Sequence, residues 1–256
     1  MMGAIIQARM GSNRLPGKVM KNVDEKNPLL GHVMNQTKQS KILKKIIVAT
    51  TKNSEDDEIE KFVDDEKISC FRGSSDDVLD RYYQCAKQFK IDPIIRICAD
   101  CPLIEPEIID RVIEKFRSEN YDYVSNNEPR TFPYGMDLEI FSFEALEKAF
   151  QNANLPSERE HVTPYIHKND ALFKIGKVRN NTDYSQIRLT VDRELDLELV
   201  RKIISKINKK PILLEDILNL FKKEPELFQL NQEYTTDEGY LKSLKEDNDF
   251  IKDKSL

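Results

Sequence analysis

Ile5-Ile6-Gln7-Ala8-Arg9-Met10-Gly11-Ser12-Asn13-Arg14-Leu15-Pro16-Gly17-Lys18 decides how this 256-residue chain is read. Its apolar lead-in, Gly3-Ala4-Ile5-Ile6, predicts a buried strand at the N-terminus. A glycine-punctuated loop follows, with Arg9, Arg14 and Lys18 close together. A strand running into such a loop presents backbone N–H groups, guanidinium forks and an ammonium to one small volume, which is what a triphosphate needs. The loop is not a Walker A motif. Five residues separate Gly11 from Gly17 where that motif has four, Val19 stands where a hydroxyl would hold Mg²⁺, and Pro16 stiffens the turn. Gly-x-Gly-x-x-Gly is also absent. Taken alone, the stretch also fits a surface turn with incidental basic residues.

Composition narrows the classes. Charged residues make up 33 % and apolar ones 39 %, enough for a sizeable core under a well-wetted surface. A net charge of −5 argues against nucleic acid as the main partner. Lys41-Ile42-Leu43-Lys44-Lys45 reads as a solvated helix end. No apolar run reaches the roughly 18–20 residues that span a bilayer. No charged-then-apolar leader precedes the first strand, so the expectation is a cytoplasmic protein with no membrane partner. Cys98-Ala99-Asp100-Cys101 has metal or redox spacing, but zinc would want a second pair nearby. Cys70, Cys85, His32, His161 and His167 do not supply one at motif spacing, so buried thiols at a strand end are expected.

Along the chain, strands are expected at 45–50, 68–73, 93–98 and 121–124. Helices are expected at 29–40, after an Asn53-Ser54 cap, from Ser74-Ser75-Asp76-Asp77 to about Lys90, and at 106–118. This alternation predicts an α/β, doubly wound, mostly parallel sheet with right-handed crossovers. Ligands of such sheets sit past the strands' carboxyl ends, where the Arg9–Lys18 loop and Asp100 both fall. From Asn126 the rhythm changes. Phe132-Pro133-Tyr134-Gly135 reads as a turn and Met136–Phe141 as a half-buried strand. Residues 143–153 and 158–168 read as helices, 173–178 and 186–191 as strands, and 195–208 and 212–222 as helices. One domain is expected over 1–225, with an insertion at 126–170 and a polar, peripheral tail at 226–256.

Two carboxylates carry the chemistry. Asp100 ends a strand, and Pro102 stops that strand from continuing. Asp192 follows the apolar run 186–191 and precedes a helix. Aimed at one phosphate site, the pair could hold Mg²⁺; each could equally be an ordinary helix N-cap.

Ala8–Lys18 resembles the opening signature of the cytidylyltransferase family that makes CMP-activated acidic sugars, closest to the branch of spore coat polysaccharide biosynthesis protein F. Ala99-Asp100-Cys101-Pro102-Leu103-Ile104 and Val191-Asp192-Arg193-Glu194-Leu195-Asp196-Leu197 resemble that family's two metal-aspartate motifs. Arg72-Gly73-Ser74-Ser75-Asp76-Asp77-Val78-Leu79-Asp80-Arg81-Tyr82 resembles the segment beside the nucleotide base, though it also fits a capped helix. Tyr134–Phe141 and Glu158–Tyr165 resemble the acceptor-side strand and helix. The likeness runs from residue 4 to about 207 with its segments in order.

The resemblance implies the nucleotide-diphospho-sugar transferase (Rossmann-like) fold, CTP as substrate, Mg²⁺ on Asp100 and Asp192, and a homodimer. It implies catalysis by Arg9, Arg14, Lys18 and Asp100. Nucleotide binding would fall to Ala8, Arg9, Gly11, Ser12, Lys18, Arg72, Gly73, Asp77, Arg96 and Asp100, and acceptor binding to Tyr134, Asp137, Glu139, Arg159 and His161. Asp196 would support the metal site or only favour its helix. His161 would touch the acceptor or only satisfy a buried hydrogen bond, and His32 and His167 would be structural. The acceptor would be an acidic sugar or a phosphorylated small molecule. Alternatives are a nucleotidyltransferase acting on a phosphonate, phosphopolyol or sugar phosphate, a glycosyltransferase of the same fold, and an idle binding protein. A glycosyltransferase would want Asp-x-Asp at a strand end, and Asp247-Asn248-Asp249 lies in the polar tail instead.

Overall fold

The computed structural model describes residues 1–253, so the last three residues of the expected tail lie outside the described residues. In chain order the elements are β1 (Gly3–Gln7), α1 (Leu29–Thr37), β2 (Ile46–Thr51), α2 (Asp57–Asp65), β3 (Ser69–Gly73) and α3 (Val78–Phe89). They continue with β4 (Ile94–Cys98), α4 (Pro106–Ser118), β5 (Tyr123–Ser125), β6 (Glu139–Phe141), α5 (Phe143–Asn152), α6 (Pro156–His161) and α7 (Pro164–His167). Then come β7 (Ile175–Lys177), α8 (Glu194–Ile207), α9 (Leu214–Lys223) and α10 (Glu238–Asp253).

The strands form one sheet in the order β3-β2-β1-β4-β6-β5-β7. β1 is parallel to β2 and β4, β2 to β3, and β5 to β7, while β6 runs antiparallel to both its neighbours. Side chains alternate across a strand, so β1 feeds two cores. Ile6 joins Val48, Ile97, Val33, Ile109 and Val200 on one face, whereas Ile5 joins Ile47, Leu79, Tyr82 and Leu146 on the other. Burial on both faces explains the nearly continuous apolar runs. Each fully buried isoleucine contributes about 1.5–3 kcal/mol. β1 lies between β2 and β4, where the winding changes direction, so the crevice opens at the carboxyl ends of β1 and β4. No helix among the described residues is long and apolar enough to cross a membrane.

The structure corrects several expectations. Residues 186–191 do not form a strand of the sheet. Ile187, Leu189 and Val191 are buried, but the segment makes a single bridge, Tyr134 to Arg188. Pro133 has no N–H to offer, and Gly135 turns away at φ +106°, where a side chain's Cβ would collide with the Leu189–Thr190 backbone. Only 139–141 of the expected strand at 136–141 is β-paired, and it is buried on both faces rather than half-buried. Before it, the Asn126 side chain replaces the ladder: its amide donates to the Met136 carbonyl and its oxygen accepts from Leu138 N–H.

The helix expected over 158–168 breaks into α6 and α7. Pro164 cannot donate to a preceding carbonyl, and Val162 takes a positive φ of 71°. Asn53 makes no side-chain cap; a 3-10 turn at Ser54–Asp56 precedes α2. The buried Asp56 carboxylate instead accepts from Thr51 and from Met10 N–H, which ties the first loop to β2. The polar tail expected over 226–256 carries a helix from Glu238 to Asp253 that docks on α6, where the Asp247 carboxylate accepts from Ser157 N–H (2.8 Å) and its hydroxyl (2.6 Å).

Candidate active site

A cleft of about 1260 Å³ opens at the carboxyl edge, lined by the first loop, the ends of β1 and β4, the segment after residue 188, α6 and α10. Gly17 sits in the left-handed region, and a 3-10 turn at Lys18–Met20 swings Lys18 inward. The Lys18 ammonium uses its three donors on Asp100 Oδ2 (2.8 Å), Asp192 Oδ1 (2.9 Å) and the Val191 carbonyl (2.8 Å). The two aspartates therefore converge on one cation. Val191 N–H and the Thr190 hydroxyl both donate to the Asp100 carbonyl, which fastens the two segments together.

Asp192 is caged by cations. Arg14 Nη2 donates to Oδ1 (2.6 Å) and Arg188 Nη2 to Oδ2 (3.0 Å). Burial raises the Asp192 pKa, but Lys18 and the two arginines outweigh it and hold the carboxyl below its ordinary value. Burial likewise pulls Lys18 down, and Asp100 and Asp192 more than compensate, so the ammonium stays charged. Asp196 is fully buried. It accepts from Arg188 and Asn231 and from the Asp192 and Arg193 N–H groups, so it both caps α8 and anchors the cage.

A divalent ion has a plausible donor set here. Among the described residues no three metal-type ligands converge. A hard cation arriving with a triphosphate brings phosphate oxygens and water, and needs only one or two carboxylates. Asp100 fits, with one oxygen on Lys18 and the other, among the described residues, facing the Cys101 thiol at 3.6 Å. Asp192 fits once an ammonium or guanidinium moves onto phosphate. The nearby Cys98 thiol is pushed up to about 12 by burial and stays protonated.

Beyond this cage, Arg96 is bound to Glu139 at 2.5 Å, and Glu139 Oε1 also accepts from the Tyr123 and Thr163 hydroxyls (2.6 Å each). Asp137 is held by Arg130, which also pairs with Asp237 and lies over the Tyr134 ring. Arg9 pairs with Glu160 at 3.0 Å and reaches the Ser75 carbonyl. Arg14 also pairs with Glu238, at the start of α10.

Of the residues singled out from the sequence, Ala8, Arg9, Gly11, Ser12, Arg14, Lys18, Arg96, Asp100, Tyr134, Asp137, Glu139, Arg159, His161 and Asp192 all line the cleft. Arg72, Gly73 and Asp77 do not. Arg72 is drawn away onto Asp57 and Glu60 of α2, and Asp77 caps α3 and binds Arg159. Arg188, Arg130, Glu238 and α10 were not anticipated. Asp247 of the triad 247–249 is buried against Ser157, so it is not a metal ligand set at a strand end.

His161 meets Ser243 through Nε2 (3.0 Å) and the Tyr240 ring edge-on at 5.1 Å. Burial, helped by the Arg96 charge, pulls its pKa down to about 4 from 6.5. Because the folded value is lower, the unfolded chain takes up this proton first as pH falls. The contribution is complete above about pH 6.5 and declines towards pH 4. His161→Gln is expected to flatten the stability curve across that window in urea unfolding. A curve parallel to that of the unaltered protein would rule the assignment out.

The model of the cytidylyltransferase family matches residues 3–239. The spore coat polysaccharide biosynthesis protein SpsF of Bacillus subtilis is 30 % identical over 235 residues, covering 87 % of this chain and 94 % of that protein. A solved cytidylyltransferase from Leptospira borgpetersenii superposes with a TM-score of 0.86 at 37 % identity, over 91 % of this chain and 98 % of its own. The CMP:2-keto-3-deoxy-manno-octonic acid synthetase complexed with CTP shares the fold, with a TM-score of 0.62 at 18 % identity over 80 % of this chain and 98 % of its own.

Proposed function

The chain belongs to the cytidylyltransferase family, and from that premise we propose that it transfers CMP from CTP to an acidic sugar or phosphorylated acceptor, with release of pyrophosphate. It is a nucleotidyltransferase on the nucleotide-diphospho-sugar transferase fold. The observation that carries the finer reading is the Lys18 ammonium gripping Asp100 and Asp192 in a cleft that also holds Arg9 and Arg14.

In this reading the acceptor oxygen attacks the α-phosphorus in line. The new O–P bond forms as the bond to the β-phosphate oxygen breaks, and the acceptor proton leaves to solvent. Lys18 and Arg14 exchange carboxylate partners for phosphate oxygens and neutralise charge on the departing pyrophosphate. Arg9 moves from Glu160 to the nucleotide. Asp100 and Asp192 would hold Mg²⁺, which when bound neutralises phosphate charge and acidifies the acceptor hydroxyl. Tyr134 and His161 face the acceptor. Asp137 and Glu139 act through their arginines, fixing Arg130 and Arg96 so that these cations meet an acid group. Arg159, pinned by Asp77, shapes the wall. The working form is a homodimer, which light scattering tests.

Pyrophosphate release measured with CTP, UTP, GTP and ATP, with Mg²⁺ and a panel of nonulosonic, octulosonic and phosphorylated acceptors, tests the proposal. The expected outcome is CTP-dependent, Mg²⁺-dependent release with one acceptor class. Equal turnover of all four nucleotides, or none with CTP across the panel, would overturn it.

A further inference from the structure

Helix α10 forms one wall of the cleft, and polar contacts rather than apolar burial hold it there. Among the described residues its two buried side chains, Ser243 and Asp247, are both polar, while Leu241 is left 48 % exposed. An element with so little apolar burial sits at the low end of local stability. All but its first two residues lie beyond the stretch 3–239 that matches the family, so features shared across the family do not account for it.

The two ends of α10 are held differently. Towards its C-terminus, Asp247 takes both the N–H and the hydroxyl of Ser157, itself fully buried at the start of α6. Parting them would strand buried polar groups, so this end is anchored. At the other end Glu238 binds Arg14 (2.7 Å) and Arg193 (2.9 Å), and the preceding Asp237 binds Arg130 (3.0 Å). The two acidic side chains are 42 % and 41 % exposed, and ion pairs this open to water exchange partners at little cost. Asp237 also takes a left-handed φ of 55°, which costs a residue with a Cβ something to hold.

These acids sit on groups that a ligand needs. Arg14 is the guanidinium that also holds Asp192, and Asp237 N–H donates to the Tyr134 hydroxyl (3.4 Å). Arg14, Arg130, Arg193 and Tyr134 all line the cleft. Two adjacent carboxylates spread over three guanidiniums thus stand where the anionic groups of a ligand would be received.

We propose that Asp237-Glu238 is an internal anion that latches α10 over the cleft. A ligand's phosphates displace Glu238 from Arg14, and the first turns of α10 swing outward about the Asp247 anchor. The inference rests on the transfer reading for the ligand's being a nucleoside triphosphate; the latch itself requires only a polyphosphate.

The test is amide hydrogen exchange and calorimetric titration of the full chain with inorganic tripolyphosphate and with CTP, both in Mg²⁺. Saturating tripolyphosphate is expected to speed exchange over 238–246 and to leave the segment around Asp247 as it was. Glu238→Gln should tighten tripolyphosphate by about 2–10-fold, as two exposed ion pairs no longer compete. It should also show fast exchange over 238–246 without ligand. Asp237→Asn should act in the same direction, and it carries the test should the first variant not fold. Glu246→Gln is the control. That acid also lines the cleft but pairs with Lys242 of its own helix, so removing its charge should change affinity by less than about twofold.

Equal tightening by Glu238→Gln and Glu246→Gln would overturn the latch, since only net charge would then matter. So would slower exchange over 238–246 with ligand, which marks a helix that closes rather than opens. Failure of both the unaltered protein and Glu238→Gln to bind tripolyphosphate would also overturn it. If tripolyphosphate opens α10 but no nucleotide is turned over, the transfer reading fails and the latch stands. If CTP is turned over while exchange and affinity stay unmoved, the latch fails and the transfer reading stands.

Discussion

Replacing Lys18 by methionine is expected to lower kcat/KM for CTP by on the order of 10²–10³, the usual cost of deleting one preorganised charge donor at a transition state. The ammonium already touches both Asp100 and Asp192, so it stands where the phosphate and its counter-ion must come together. Lys18→Arg should rescue little. The site accepts three short, divergent hydrogen bonds from a single nitrogen, and a planar fork cannot reproduce them. Steady-state pyrophosphate release decides the matter, and a methionine variant with unaltered kcat/KM would remove Lys18 from the chemistry. The fold should survive, because Arg14 and Arg188 still neutralise Asp192.

Glu139→Ala is expected to be the most destabilising single change near the cleft, at about 3–5 kcal/mol, because it strands the largely buried Arg96 charge. It also deprives the Tyr123 and Thr163 hydroxyls of their shared acceptor. Burial raises the Glu139 pKa, but Arg96 and the two hydroxyls outweigh it and hold it below 4.5. The stabilisation is therefore present above that value and lost as pH falls below it. The double variant Glu139→Leu with Arg96→Met should recover most of the loss, since removing both charges leaves neither unpaired. Urea unfolding measures both. A single variant within about 1 kcal/mol of the unaltered protein would mean that the pair carries little of the stability.

The sheet could be read from the sequence because its strands are buried on both faces and leave unbroken apolar runs. The cationic loop and Asp100 could be read because they sit at strand ends, where such sheets bind. The rest depended on partners distant in the chain. Arg72 and Arg81 flank one segment, and nothing local says which faces the cleft; the acids of α2 decide by capturing Arg72. Residues 186–191 look like a strand because Ile187, Leu189 and Val191 are apolar, yet they are buried by packing rather than by pairing. Helix α10 was hidden because its buried stripe includes Ser243 and Asp247, polar residues whose burial makes sense only once His161 and Ser157 are seen opposite. A hydrophobic period cannot register a stripe of that kind.

The clasp on Arg14 joins residues far apart in synthesis. Its two carboxylate partners lie 178 and 224 positions downstream. Domains begin to fold from the N-terminus while the ribosome is still translating, and distant pairings close last. β1 and its loop therefore emerge long before Asp192 and Glu238 exist to hold the arginine. Until the segments that carry Asp192 and Glu238 have been made, the loop is bare and positively charged and its cleft is incomplete.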